Sequence, residues 1–148
     1  MYESLKDKRI LLTGHTGFKG TWMTVWLKKL GAKVYGLSTT KNNFFPDFSQ
    51  YVVKEYNQDI RGAYTLQPII QEINPQIVIH FAAQPIVSVS YENPAETFDV
   101  NVGGTVNLFN SLVKCKELSS VLVVTTDKVY KHPEKMNTEE DEIGGSKD

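Results

Sequence analysis

Thr13-Gly14-His15-Thr16-Gly17-Phe18-Lys19-Gly20 is the stretch that decides the fold of this chain. The apolar run 10–12 leads into it, and a pattern with helical spacing leads out of it. Its three glycines are three residues apart, which lets the backbone turn tightly and brings amide N–H groups close to a bound anion. A strand, a glycine turn and a helix in this order predict a cradle for a pyrophosphate. A purely structural glycine turn is the alternative.

The overall composition is typical of a single globular domain. The 148 residues are enough to bury a core without disulfides or a structural metal. A formal net charge of −1 creates no field that would attract nucleic acid or a membrane surface. The charged first residues do not resemble a secretory signal, and no apolar run approaches the ~20 residues of a membrane span. Together with a single cysteine, Cys115, these features predict a cytoplasmic protein.

Apolar runs and helical patterns alternate along the chain. The predicted strands are 8–13, 33–37, 52–56, 76–81 and 121–124, and the predicted helices are 18–30, 64–73 and 95–114. This order predicts an α/β fold, a Rossmann-type doubly wound parallel sheet in three α/β/α layers. Ligands of such sheets bind at the carboxyl ends of the strands. Residues 1–130 are therefore expected to form a dinucleotide-binding domain, and the polar residues 131–148 a connecting segment.

Two helices carry more specific expectations. In the first, Trp22 and Trp26 share a spacing of four with Phe18, which predicts that the tryptophans pack in the core; a binding platform is the alternative. In the last, Gly103 and Gly104 each cost about 1 kcal/mol relative to alanine, which predicts close backbone packing, against a cofactor for example.

Several separated motifs resemble the extended short-chain dehydrogenase/reductase superfamily. They are the glycine turn 13–20, Asp59-Ile60, Phe81-Ala82-Ala83, Asn101 and Thr125-Thr126-Asp127. Finer details resemble its CDP-glucose 4,6-dehydratase family. These are His15 to Gly20 followed by Trp22, Ala82-Ala83-Gln84-Pro85, Ser90-Tyr91, Pro94, Glu96-Thr97 and Thr126-Asp127-Lys128. The resemblance extends over residues 8–145.

The resemblance implies a tightly held NAD and assigns residues to it. Gly14, Gly17 and Gly20 would shape the pyrophosphate site, with Phe18 and Lys19 in the same turn. Asp59 would accept a hydrogen bond from the adenine amino group, and Ile60 would pack on the ring. The remaining residues of the implied cofactor site are Ala82, Ala83, Gln84, Asn101 and Thr125.

The resemblance also implies a reaction and a partner. C4 of a nucleotide-activated glucose, CDP-glucose, is oxidised, water leaves across C5 and C6, and the hydride returns to C6. Thr126 would hydrogen-bond the 4-hydroxyl, Asp127 would protonate the departing 6-hydroxyl, and Lys128 would stand near C5. An acid in this role needs a raised pKa, and a basic lysine needs a lowered one. A homodimer formed through the helix 95–114 is typical of such enzymes.

The chain departs from the superfamily pattern in two ways. The Tyr-x-x-x-Lys motif that supplies the base in these enzymes occurs here only at Tyr2–Lys6, ahead of the first strand. We therefore expect the cofactor-binding part of an enzyme, inactive alone. After Leu37 there is no acidic residue at the position that usually binds the ribose, so the choice of NAD over NADP depends on the resemblance.

Other functions stay open from the sequence. Another sugar-nucleotide epimerase or reductase is one alternative, although it has no need of Asp127 as an acid. A non-catalytic NAD-binding module is the other. His15 and His80 have no accompanying ligand cluster, so no metal site is expected, and His80 is interpreted as a buried strand histidine.

Overall fold

Five parallel strands form the sheet that the described residues build. The computed structural model describes residues 2–42, 45–132 and 135–144, with the backbone alone at residues 2, 3 and 127. The strands are β1 (Arg9–Thr13), β2 (Lys33–Ser38), β3 (Lys54–Asn57), β4 (Ile77–His80) and β5 (Ser120–Val123). Their spatial order is β3-β2-β1-β4-β5. Thr13 pairs with Leu37 on one side and His80 on the other, so these strands end at one edge of the sheet.

The helices connect these strands. Their bounds are α1 (Phe18–Lys29), α2 (Ala63–Ile73), α3 (Val87–Glu92), α4 (Pro94–Phe98) and α5 (Gly104–Leu112). Gly31 follows α1 with a φ of +82°, and the N–H groups of Gly31 and Ala32 return to the carbonyls of Lys28 and Leu27. This Schellman arrangement ends α1 where the sequence predicts it.

The alternation of side chains along β1 creates a core on each face of the sheet. Ile10 and Leu12 pack with Leu27 of α1 on one face. Leu11 packs on the other face with residues of α2 and α5, including Leu66 and Leu108. A central strand buried on both faces explains the continuous apolar run that precedes the glycine turn. The predicted three-layer α/β/α fold is confirmed.

The predicted packing face of α1 is wrong. Trp22 and Trp26 are 57% and 52% exposed, and Phe18 is also exposed. The buried residues of the helix are Gly20, Thr21, Thr24 and Leu27. The start of α1 lies so close to the glycine turn after β1 that only small side chains fit between them. The bulky aromatic side chains therefore face outward. They line a shallow groove with Lys19, Met23 and Phe81.

The predicted helix 95–114 is present but is not uniform. α4 passes through a π-helical turn, Asp99–Gly103, into α5, which ends at Leu112. Gly104 does pack closely, as predicted, but against the protein: a Cβ there would lie 2.5 Å from Cδ1 of Ile60. α3 was not predicted from the sequence.

Residues after β5 fold back on themselves where they are described. The N–H of Lys131 donates to the carbonyl of Glu142, and the N–H of Gly144 donates to the carbonyl of Val129. The Lys131 ammonium also pairs with the Glu142 carboxylate at 3.0 Å. The predicted connecting segment 131–148 is thus a turn over its described part, while residues 133, 134 and 145–148 lie outside the described residues. No helix among the described residues is long and apolar enough to cross a membrane.

Candidate functional site

A cleft of about 720 Å³ opens at the carboxyl ends of the strands. Its volume is in the range of small-molecule and cofactor sites, which run from about 300 to 1,000 Å³. The predicted cofactor residues that line it are Gly14, Gly17, Phe18, Lys19, Gly20, Asp59, Ile60, Ala82, Ala83, Gln84 and Thr125. The fold therefore brings together residues that are more than 100 positions apart in the sequence.

The glycine turn leaves no room for side chains at two of its three glycines. A Cβ at Gly20 would lie 2.1 Å from the carbonyl oxygen of Gly14. A Cβ at Gly14, where φ is +69°, would lie 2.8 Å from the backbone nitrogen of Ala82. Gly17 is different, because its Cβ would meet only the Gly14 oxygen, at 3.4 Å. Gly14 and Gly20 are thus required by the protein itself, whereas Gly17 leaves a free approach to the backbone.

The first turn of α1 faces the same cleft. Gly17 is the N-cap residue and supplies no side-chain cap. The first N–H groups of a helix have no intrahelical acceptor, and the helix dipole makes this end positive. A pyrophosphate is the kind of group that satisfies such N–H groups.

Asp59, which lines the cleft, is held by Arg61, two residues further along the chain. Both of its carboxylate oxygens accept from Nε of Arg61, at 3.1 and 3.0 Å, and Oδ2 also accepts from Nη2 at 2.7 Å. Hydrogen bonding from Arg61 lowers the pKa of Asp59. The same guanidinium lies 3.8 Å from carboxylates of Glu96 and Asp99. Arg61 therefore joins the end of β3 to the helix that follows β4.

Hydroxyl groups occupy the end of β2, where no acidic residue was found in the sequence. Oγ1 of Thr16 lies 2.6 Å from Oγ of Ser38 and 3.1 Å from Oγ1 of Thr40. Ser38 and Thr40 also line the cleft. This end of the cleft therefore offers neutral donors and acceptors.

His80 is buried at the end of β4 between two threonines. Nδ1 lies 2.6 Å from Oγ1 of Thr13, and Nε2 lies 3.1 Å from Oγ1 of Thr105. Burial lowers the pKa of His80. The interpretation of His80 as a buried strand histidine is confirmed, since it is 3% exposed.

We expect the buried His80 to make stability depend on pH. The unfolded chain binds a proton at this residue near the ordinary pKa of 6.5, whereas the folded chain binds it only at lower pH. The free energy of unfolding should therefore be highest above pH 6.5 and fall as the pH decreases, by at most about 1.4 kcal/mol per pH unit from this residue. Urea midpoints at pH 7.5, 6.5 and 5.5 measure it. His80→Asn should reduce this slope, and an unchanged slope would contradict the assignment.

Asn101 does not line the cleft but holds a residue that does. Its Oδ1 accepts from the N–H of Gln84 at 2.8 Å, and its Nδ2 donates to the carbonyl of Gln84 at 3.1 Å. Because Asn101 lies in the π-helical turn, this amide pair fixes the loop after β4 to the helix 94–112. Asn101 thus acts on the cleft through Gln84.

Thr126 and Lys128 follow Thr125 beyond the end of β5, outside the set of residues that line the cleft. The N–H of Lys128 donates to Oγ1 of Thr126 at 3.2 Å, at the start of a short 3-10 turn (Asp127–Val129). The side chain of Asp127 lies outside the described part of the chain. The assignment of these three as catalytic residues stays a prediction.

Sequence reasoning missed three features around the cleft. Arg61 had a detectable signal, a charge two residues after Asp59. Gly36 had one too, because a glycine inside a strand indicates a close approach; a Cβ there would lie 2.3 Å from the ring of His15. The contact of Thr105 with His80 joins residues 25 apart and left no local signal. No group of three or more potential metal ligands is found among the described residues.

Comparison with known families places the chain. The family described as GDP-mannose 4,6 dehydratase matches residues 11–144. A CDP-glucose 4,6-dehydratase from Salmonella typhimurium is 39% identical over 133 residues, which are 87% of this chain and 37% of that protein. A UDP-glucose 4-epimerase from Neisseria meningitidis serogroup B is 33% identical over 90% of this chain and 41% of that protein. The chain thus spans about two fifths of the length of these relatives.

A solved structure supports the same fold. It is the UDP-glucose 4-epimerase from Bifidobacterium longum in complex with NAD⁺ and UDP, 27% identical, with a TM-score of 0.81. The match covers 93% of this chain and 43% of that one.

Proposed function

This chain belongs to the GDP-mannose 4,6-dehydratase family, and on that premise we propose that it binds NAD for the 4,6-dehydration of a nucleotide-activated hexose. CDP-D-glucose, converted to its 4-keto-6-deoxy product, is the proposed substrate. The support for this substrate is the 39% identity with a CDP-glucose 4,6-dehydratase. The single observation that carries the cofactor assignment is the cleft, which is lined by all but one of the residues expected to hold NAD.

The residues present fit this cofactor. The tight turn at Gly14 and Gly20 exposes the start of α1, where the pyrophosphate would bind. The Asp59 carboxylate lines the cleft where the adenine would bind, and Ile60 beside it is 4% exposed, so only a small part of its side chain could touch the ring. The hydroxyls of Ser38 and Thr40 suit an adenosine ribose. Because Ser38 and Thr40 carry no negative charge that would repel a 2′-phosphate, NADP is a second ligand to be tested beside NAD.

The residues after β5 are proposed to act on the hexose. NAD, when bound, would supply an acceptor for the hydride from C4 and a donor of that hydride to C6. Thr126 would orient the 4-hydroxyl, Asp127 would give its proton to the departing 6-hydroxyl, and Lys128 would face the C5 proton. Asp127 must hold a proton near neutral pH for this role.

The experiment that tests the function uses the protein encoded by the whole gene. It is incubated separately with CDP-glucose, GDP-mannose, UDP-glucose and dTDP-glucose, and the products are identified by NMR. A 4-keto-6-deoxy sugar from CDP-glucose is the expected product. Asp127→Asn should slow its formation by about 10²- to 10⁴-fold, as expected for the loss of a general acid. The 148 residues alone are expected to give no turnover.

A UDP-glucose 4-epimerase is the second candidate, because one is 33% identical. It predicts a C4-epimerised sugar and no 4-keto product in the same incubations. Asp127→Asn should then have little effect. A non-catalytic NAD-binding module predicts binding of NAD without change in any of the four sugar nucleotides.

We also propose that the helix 94–112 forms a homodimer interface. An exposed apolar stripe along it consists of Phe98, Val102, Val106, Phe109 and Val113. Contiguous apolar surface of this kind is uncommon on monomeric proteins and marks interaction sites. A cytoplasmic location and a role in making deoxysugars for lipopolysaccharide would accompany this function.

A charged residue introduced into the exposed apolar stripe is expected to give a monomer. Phe109→Glu would place a charge within the stripe that the proposed interface buries, where desolvation is costly. Light scattering after size exclusion should show half the mass of the unmodified protein. Asn110→Glu, the same charge at the next exposed position, is the control and should remain dimeric. Equal masses for all three proteins would contradict the interface.

A further inference from the structure

We propose that His80, as the neutral tautomer protonated on Nε2, positions the segment Ala82–Gln84 against the glycine turn. The proposed function gives this histidine no role other than packing in the core. The inference rests on the proposed NAD site, since that segment lines the cleft. A buried histidine would thus help to fix the shape of the cofactor site.

The Nε2 side determines the tautomer. Oγ1 of Thr105 lies 2.6 Å from the carbonyl oxygen of Asn101. A carbonyl can only accept, so the threonine hydroxyl donates its one proton there. Oγ1 of Thr105 is then an acceptor toward His80, and Nε2 must carry the proton that lies between them.

The Nδ1 side agrees with this assignment. The N–H of Ala82 donates to Oγ1 of Thr13 at 3.2 Å, which leaves the Thr13 hydroxyl proton for Nδ1 of His80. All hydrogen bonds in the series then point one way, from Ala82 through Thr13, His80 and Thr105 to Asn101. A second proton on His80 would displace the Thr13 proton inside the core, where Thr13 is fully buried.

Both ends of this series of hydrogen bonds, which we call the relay, lead to the segment Ala82–Gln84. One end is the N–H of Ala82, whose nitrogen would lie only 2.8 Å from a Cβ at Gly14. The other end is Asn101, whose side-chain amide is paired with the backbone of Gln84 on both its donor and acceptor sides. His80 therefore couples the end of β1 and the π-helical turn to the two ends of Ala82–Gln84.

The first test is the tautomer in the unmodified chain. Nitrogen chemical shifts of His80 in ¹⁵N-labelled protein distinguish the two neutral tautomers and the imidazolium. We expect the Nε2-protonated form throughout pH 6.5 to 8. The Nδ1-protonated form, or an imidazolium in this range, would overturn the proposal. This test requires neither a variant nor a ligand.

The second test removes one partner. Thr105→Val deletes the hydroxyl that accepts from Nε2, and amide hydrogen exchange reports on the loop. Exchange at Gln84 should rise by about tenfold, with Tyr35 in β2 unchanged, and the Kd for NAD should rise by a similar factor. A uniform rise across the sheet would show a general loss of stability and would overturn a positioning role, as would unchanged exchange at Gln84.

Two variants of His80 itself test the hydrogen bonds at Nδ1 and at Nε2 separately. Asparagine keeps an acceptor near the Nδ1 position, and glutamine keeps a donor near the Nε2 position. His80→Asn should loosen mainly Gln84, and His80→Gln mainly Ala82, with exposed His132→Gln as the control that changes neither. Equal effects of the two variants at both amides would contradict the relay.

If the unmodified chain fails to bind NAD, the proposed function fails, while the tautomer and exchange results still decide the role of His80.

Discussion

Replacing Gly20 by alanine is expected to lower the free energy of unfolding by about 4 kcal/mol or more, the range reserved for severe core clashes. The new Cβ would lie 2.1 Å from the Gly14 carbonyl oxygen and 2.8 Å from Cα of His15. Both are backbone atoms, so no side chain can move aside. Relief requires α1 to move away from the turn and to give up its contacts with the sheet, and NAD binding should be lost with the turn.

Gly17→Ala is the matched control within the same turn. Gly17 has φ −69° and ψ 171°, which alanine adopts without strain, and its Cβ would meet only one oxygen at 3.4 Å. Its free energy of unfolding in the absence of NAD should stay within about 1 kcal/mol of the unmodified chain. Urea denaturation of the two variants measures the difference. Similar stability for Gly20→Ala and Gly17→Ala would show that α1 does not approach the turn as closely as described.

Alanine at Gly104 is expected to destabilise the chain by about 2 kcal/mol, although alanine favours helices by about 1 kcal/mol. The reason is the side chain of Ile60, with Cγ1 and Cδ1 each 2.5 Å from the new Cβ. Gly103→Ala is the control, because its Cβ would meet only Oδ1 of the exposed Asp99, at 3.1 Å. That carboxylate is able to move, so Gly103→Ala should be neutral or stabilising by up to about 1 kcal/mol.

The clash at Gly104 can be tested by its rescue. Ile60→Ala removes both clashing atoms at the cost of a cavity in the core, since Ile60 is 4% exposed. In the double variant the methyl group introduced by Gly104→Ala would occupy part of that cavity. The pair should therefore be more stable than the sum of the single effects by about 1–2 kcal/mol. Additive effects would contradict direct contact between these residues.

The alternation of strands and helices along the chain and the location of the site were predictable because they depend on local signals. A buried strand, a glycine turn at Gly14 and a helix form one continuous stretch, and parallel strands bring their carboxyl ends to one edge. The same reasoning failed for α1. Periodicity identifies an apolar stripe, but it does not show which side of a helix faces the sheet. Here the backbone contact at Gly20 decided it, and Trp22 and Trp26 were turned outward.

The interactions that tune the cleft could not be predicted, since they join distant positions through ordinary residues. Thr13 and His80 are 67 residues apart, and their hydrogen bond exists only because β1 and β4 are neighbours. Gly36 indicates a close approach, but its partner could not be predicted: the ring of His15 lies 2.3 Å from where a Cβ of Gly36 would be. Nothing in the sequence indicates that the hydroxyl of a threonine in a strand orients an imidazole.

A titration of the 148-residue chain with NAD tests most directly whether this cleft holds the cofactor. Calorimetry gives the stoichiometry, and amide chemical shifts of the ¹⁵N-labelled chain give the location. We expect saturable binding of one NAD per chain, with the largest shifts at Gly14–Gly20, Asp59–Ile60 and Ala82–Gln84. No saturable binding, or shifts confined to the outer face of α1 around Trp22 and Trp26, would contradict it.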